Sequence, residues 1–190
     1  TGLDAWLLGH IHKPSLTTEP NSKNGVPSGY LGSLVGLDPS ETGPHGPWLI
    51  SVLENGDIQI EHIPIAPVRW EYLAVNVDEI TDFEDLPDQI YSLAEQKYQE
   101  LEKLGFVPQA LGLRVIVEGA SPIYQELETY IDGRAWAQIG RSIGESFVFI
   151  NKVVNDLIAV NRNGNNCNRQ PKKKMSHNLP RFVSIVLKEF

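Results

Sequence analysis

Between Glu71 and Val154, strand-like apolar runs alternate with longer segments of helical period, and this alternation constrains the fold more than any other feature. "EYLAVNV" (71–77) reads as a strand. "DLPDQIYSLAEQKYQELEKLG" (85–105) reads as a helix, because Leu86, Ile90, Leu93, Tyr98, Leu101 and Leu104 recur near the 3.6-residue period. Asp85 suits its N-cap, Pro87 its first turn and Gly105 its stop. "LGLRVIVEG" (111–119) is a second strand, and Ser121-Pro122 caps a second helix carrying Ile123, Leu127 and Ile131, with Gly133 after it. "SFVFINKVV" (146–154) is a third strand. Strand, helix, strand, helix, strand predicts a small α/β unit.

Ahead of that unit the pattern is different. In "WLISVLENGDIQIEHI", Trp48–Leu53 and the alternating Ile58 and Ile60 flank Asn55-Gly56, which predicts a hairpin closed by a type I′ turn. In "IPIAPVRW", Pro64 and Pro67 argue for a connector, so a boundary is placed near Pro67. Residues 14–47 are rich in Gly, Pro and Ser with little periodicity, and a loop of that length is more often functional than idle. The resulting division is residues 1–66, residues 67–160, and a tail, 161–190, made of an Asn-rich basic linker and the apolar "LPRFVSIVLKEF".

The 190 residues suffice for one ordinary domain or two small ones, and 41% hydrophobic with 21% charged residues is a globular composition. No apolar stretch is long enough to span a membrane, and no secretory leader is visible. The single cysteine, Cys167, excludes a disulfide framework and a Cys-based zinc site and fits a reducing cytoplasm. The net charge of −8 is uneven: from Asn161 onward seven Lys/Arg face one acid, leaving +6, while the rest carries nine against 23, or −14. An acidic body repels DNA unless metal ions or a basic partner intervene, whereas the tail suits phosphate or an acidic surface, or is simply solvated.

The chemistry concentrates in "DAWLLGHIHKP" (4–14): an apolar, buried-looking strand, then Gly9, His10 and His12. Neutral imidazole is the commonest protein ligand for divalent transition metals, and in an extended chain residues i and i+2 share a face. On spacing alone, His-x-His is more often an ordinary loop pair than a ligand pair. His62 alternates with Ile60 in the hairpin and reads as structural. His45, in "GPHGP", is a loop histidine for which approach to a phosphate or metal is the less favoured reading.

An apolar strand, Gly-His-Ile-His and Lys-Pro together resemble the last metal-binding motif of the calcineurin-like metallophosphoesterases. "YLGSLVGLDPSETGPHGPWLISV" (30–52) is similar to the stretch after that motif in SbcD-type DNA repair exonucleases, and "PIAPVRWEYLAVNV" (64–77) resembles the start of their second α/β unit. The resemblance covers about residues 1–155. It implies the C-terminal part of a metallophosphoesterase β-sandwich followed by a small α/β cap that positions DNA. It implies two divalent metals, usually manganese, with His10 and His12 each ligating one of them. The family's earlier motifs (Asp-x-His, Gly-Asp, Gly-Asn-His-Asp and a further histidine) are not in this chain, so the expectation is a chain that begins partway through a catalytic domain and is inactive alone. The implied partners are DNA and an SMC-like ATPase of the SbcC type, gripped through Phe182, Ile185, Val186 and Phe190; a homodimer is a further option. The alternatives are a module that only positions DNA and docks the ATPase, and an enzyme of the same fold acting on small phosphodiesters. Whether Arg69, Arg114, Arg134, Arg141 and Lys152 converge into a DNA-facing surface is a question for the structure.

Overall fold

The computed structural model describes residues 4–16, 26–133, 136 and 140–159. These hold β1 (Trp6–Leu8), β2 (Ser28–Tyr30), β3 (Trp48–Val52), β4 (Ile58–His62), β5 (Val68–Asn76), α1 (Leu86–Lys103), β6 (Ala110–Ser121), α2 (Tyr124–Asp132), β7 (Gly140–Ile143) and β8 (Ser146–Ala159). The expected α/β class is the one observed.

β5, β6 and β8 run parallel in the order β5-β6-β8, and β7 closes the far edge as an antiparallel hairpin partner of β8. Leu73, Val75 and Val77, then Leu111, Leu113, Val115 and Val117, then Val148, Ile150 and Val153, bury one sheet face against both helices. The core side of α1 is Leu86, Ile90, Ala94, Tyr98 and Leu101, and that of α2 is Leu127, with Ile123 ahead of it and Ile131 alongside. A bulge at Leu113/Arg114 opposite Ile150–Lys152 shifts the alternation of β8, so Val153 continues the inward row that Val148 and Ile150 begin.

Several local expectations are corrected. Asp85 makes no side-chain capping bond; Asp82 accepts from the Glu84 N–H instead, at the head of a 3-10 turn (Phe83–Asp85) that runs into α1. Leu104 leaves the apolar stripe and is 77% exposed, because the helix has ended at Lys103. Gly105 at φ +77° lets the chain reverse, with the Phe106 N–H reaching the Leu101 carbonyl and the Gly105 N–H the Glu102 carbonyl, the Schellman pattern. The N-cap of α2 is Ile123 rather than Ser121-Pro122; Ser121 Oγ accepts from the Ile123 N–H and donates to the Ile80 carbonyl, which ties the start of α2 to the turn after β5.

The β3–β4 hairpin forms in the expected register, with Ile50 opposite Ile60 and Trp48 opposite His62. Its turn is not type I′, which needs positive φ at two adjacent positions. Only Gly56 is left-handed there (φ +86°), and the Gly56 N–H bonds the Leu53 carbonyl, so a three-residue loop ends in a glycine bulge. Asn55 instead accepts from the Asp57 N–H through its side chain. The long Pro14–Pro47 segment is not structureless either: β2 lies within it and pairs in parallel with β1. β1 itself reads as buried in sequence but is exposed here, Trp6 by 55%, because β2 is its partner along one edge and no described layer covers its faces. The basic linker and the proposed docking residues Phe182, Ile185, Val186 and Phe190 lie outside the described residues.

Candidate functional site

The two histidines follow β1 directly. His10 stands in the left-handed region at φ +81°, a conformation that non-glycine residues adopt at a cost, histidine more readily than most. Residues 9–13 are therefore a turn and not a strand continuation, and the argument that i and i+2 share a strand face does not hold here. Both imidazoles are on the surface, the His12 side chain 52% exposed.

His12 is held from two sides by the segment after β2. Its carbonyl accepts from the Ser33 N–H at 2.9 Å. Its Nδ1 lies 2.6 Å from Glu41 Oε1, while the other Glu41 oxygen accepts from the Leu37 N–H at 2.9 Å. Donation by His12, ahead of the Leu37 bond, holds the Glu41 carboxyl below the usual carboxylate range. No sequence signal pointed to Glu41, which sits 29 positions from its partner in a stretch without periodicity.

Beneath that pair lies His45, only 2% exposed. Its Nε2–H donates to the Glu41 carbonyl at 3.0 Å, and its Nδ1 lies 3.0 Å from Ser33 Oγ and 3.2 Å from the Ser33 carbonyl. Both ring nitrogens are engaged inside the loop, which removes the phosphate- or metal-binding reading of His45. Two indoles fix the same loop from outside: Trp48 Nε1 donates to the Leu31 carbonyl at 2.7 Å, and Trp70 Nε1, from β5, to the Gly36 carbonyl at 3.0 Å. His62 has the structural place expected of it, its ring stacked on Trp48 with centroids 4.5 Å apart.

The basic side chains divide. Arg69 is spent on Glu71, with its Nη2 2.6 Å from the Glu71 carboxylate, and the Arg141 guanidinium stacks 3.6 Å over the Tyr91 ring. Arg134 lies outside the described residues. Arg114 and Lys152 do come together, as register partners on β6 and β8 with Tyr72 completing the row on β5. The Arg114 guanidinium lies 5.7 Å from the Tyr72 ring centroid. One row nearer the histidine loop are Trp70, Gly112 and Phe149, with the Trp70 and Phe149 rings edge to face at 5.6 Å. This is the sheet face away from the helices. Asp38, in the loop, has its carboxyl held low chiefly by Ser40 and in smaller part by the positive charge of Arg114, which places that guanidinium within electrostatic reach of the loop.

With Nδ1 turned to Glu41, a neutral His12 offers Nε2 as its remaining donor, which suits a metal ligand. His10 is exposed on the same turn. Among the described residues no group of three His, Cys, Asp or Glu is arranged to hold a metal ion. Among the described residues, too, no helix is long and apolar enough to cross a membrane.

No protein-family model matches the chain. It is 30% identical over 122 residues to a Bacillus subtilis (strain 168) protein described as an uncharacterized metallophosphoesterase, YhaO. That match takes in 64% of this chain and 27% of the relative, so the chain spans a minor part of the relative's length. The likeness supports the metallophosphoesterase superfamily.

Proposed function

We propose that His10 and His12 are metal ligands of a two-metal phosphodiesterase, and that the whole protein is a DNA exonuclease of the SbcD type acting in DNA repair. The observation that carries this reading is the turn itself: two surface imidazoles directly after an apolar strand, one with its Nδ1 already engaged by a carboxylate. In such a site His12 would hold one ion through Nε2 and His10 the other, with further polypeptide supplying the remaining ligands. Two divalent ions bound there, manganese by the family resemblance, would lower the pKa of a water and stabilise the attacking and leaving oxygens of a phosphodiester. The exposed apolar residues of β1 support packing against that further polypeptide.

The β5–β8 sheet then acts as the element that presents DNA. Arg114 and Lys152 supply positive charge beside the histidine loop on an otherwise acidic body, and Tyr72 and Phe149 supply ring faces next to them. Docking to an SMC-like ATPase through residues 179–190 is a separate part of this proposal and rests on their apolar composition. The test is hydrolysis of linear DNA, circular DNA and a chromogenic phosphodiester by the natural full-length protein with manganese. A His10→Ala or His12→Ala variant loses at least about 100-fold of the activity on every substrate if the histidines hold the ions. A preference for linear DNA supports the exonuclease reading, and preference for the small ester supports the alternative. Undiminished activity in both variants overturns the assignment.

A further inference from the structure

We infer that Glu41 is the positioning residue of this site: it locks His12 in the tautomer that carries its proton on Nδ1 and leaves Nε2 bare. The inference rests on the reading of His12 as a metal ligand. Three observations carry it. An ionised carboxylate only accepts hydrogen bonds, so the 2.6 Å contact between Glu41 Oε1 and His12 Nδ1 requires the proton to be on the nitrogen. The second Glu41 oxygen is anchored by the Leu37 N–H, which stops the carboxylate from rotating away. The Glu41 backbone is itself fixed, because buried His45 donates to its carbonyl, and Ser33, which adjoins His45 Nδ1, also bonds the His12 carbonyl through its N–H.

These bonds close a ring: His12 side chain to Glu41, Glu41 carbonyl to His45, His45 to Ser33, Ser33 to the His12 carbonyl. A ring of this kind sets both where the imidazole sits and which nitrogen faces outward. A histidine on an exposed turn would otherwise sample several rotamers and both neutral tautomers, and only one combination suits a ligand. Carboxylate partners of metal-binding histidines act in this way, and their removal typically weakens metal binding by about 10- to 100-fold.

The experiment uses nitrogen-15 NMR of the His12 ring in the whole chain, above the pH at which imidazole titrates, with Mn2+ alone as the probe of binding. The wild-type ring is expected to show a protonated Nδ1 and a bare Nε2. Glu41→Ala is expected to return the ring to the tautomer mixture of an unrestrained imidazole, and to raise by about 10- to 100-fold the Mn2+ concentration that broadens its signals. Glu41→Gln keeps an acceptor oxygen and is expected to retain the tautomer with a smaller loss of Mn2+ affinity. A purely structural role for Glu41 would not move the tautomer in a variant whose amide spectrum stays folded. The inference is overturned if the wild-type ring carries its proton on Nε2, or if folded Glu41→Ala leaves tautomer and Mn2+ response unchanged. If Mn2+ fails to reach His12 in any form, the metal reading fails, while the tautomer still decides the role of Glu41.

Discussion

At the scale of single residues, the histidines of this chain separate by what surrounds them. His10 and His12 are exposed, His45 is walled in by its own loop, and His62 is half-buried on Trp48. Burial holds the His62 imidazolium pKa below its ordinary 6.5, outweighing the opposing hydrogen bond with the Gly46 backbone, with His45 adding a smaller downward push. The unfolded chain then binds a proton more readily than the folded one. Stability from this site is fully present above pH 6.5 and is lost as pH falls through that value toward the folded pKa. Thermal unfolding followed downward through that window should show a falling Tm in the wild type and a shallower fall in His62→Phe, which keeps a ring against Trp48. Equal slopes would show that His62 does not titrate differently on folding. The distinction between these histidines was only partly legible in sequence. Strand alternation marks His62, but the enclosure of His45 and the partnership of Glu41 depend on a loop path that no short-range pattern encodes.

At the scale of elements, the α/β unit was legible because its signals are strong and local. The stripe of α1 and the odd-numbered apolar residues of β6 each declare a buried face in sequence. β7 was not legible, since Gly-Arg-Ser-Ile carries no alternation and forms a strand only because β8 offers an edge to pair with. Nor was the bulge that reverses the alternation of β8, because a single extra residue has no compositional mark. Leu127 is the fully buried anchor of α2. Leu127→Ala should cost about 2–5 kcal/mol in denaturant unfolding, and a cost under about 1 kcal/mol would show that α2 is not an integral wall of the core. On the opposite sheet face, a Cβ at Gly112 would collide with the Trp70 ring. Gly112→Ala should therefore displace the indole that bonds the Gly36 carbonyl, destabilise by about 1–3 kcal/mol and shift tryptophan emission. An unchanged Tm and spectrum would mean that Trp70 has room the structure does not show.

At the scale of the molecule, the histidine loop and the α/β sheet are one connected arrangement. Trp70 bonds the loop through its indole and, through its carbonyl, the Gly43 N–H, while Arg114 adds its charge from the next row. On the proposed function, a sheet joined to the loop in this way would present the phosphodiester to ions at His10 and His12. The proposed function requires those two histidines to hold metal, one ion each. Calorimetric titration of the natural full-length protein with Mn2+ tests it directly. Two ions per chain are expected, with His10→Ala and His12→Ala each weakening one of them, and only weak binding by the 190-residue chain alone. Two ions bound with unchanged affinity in both variants would contradict it.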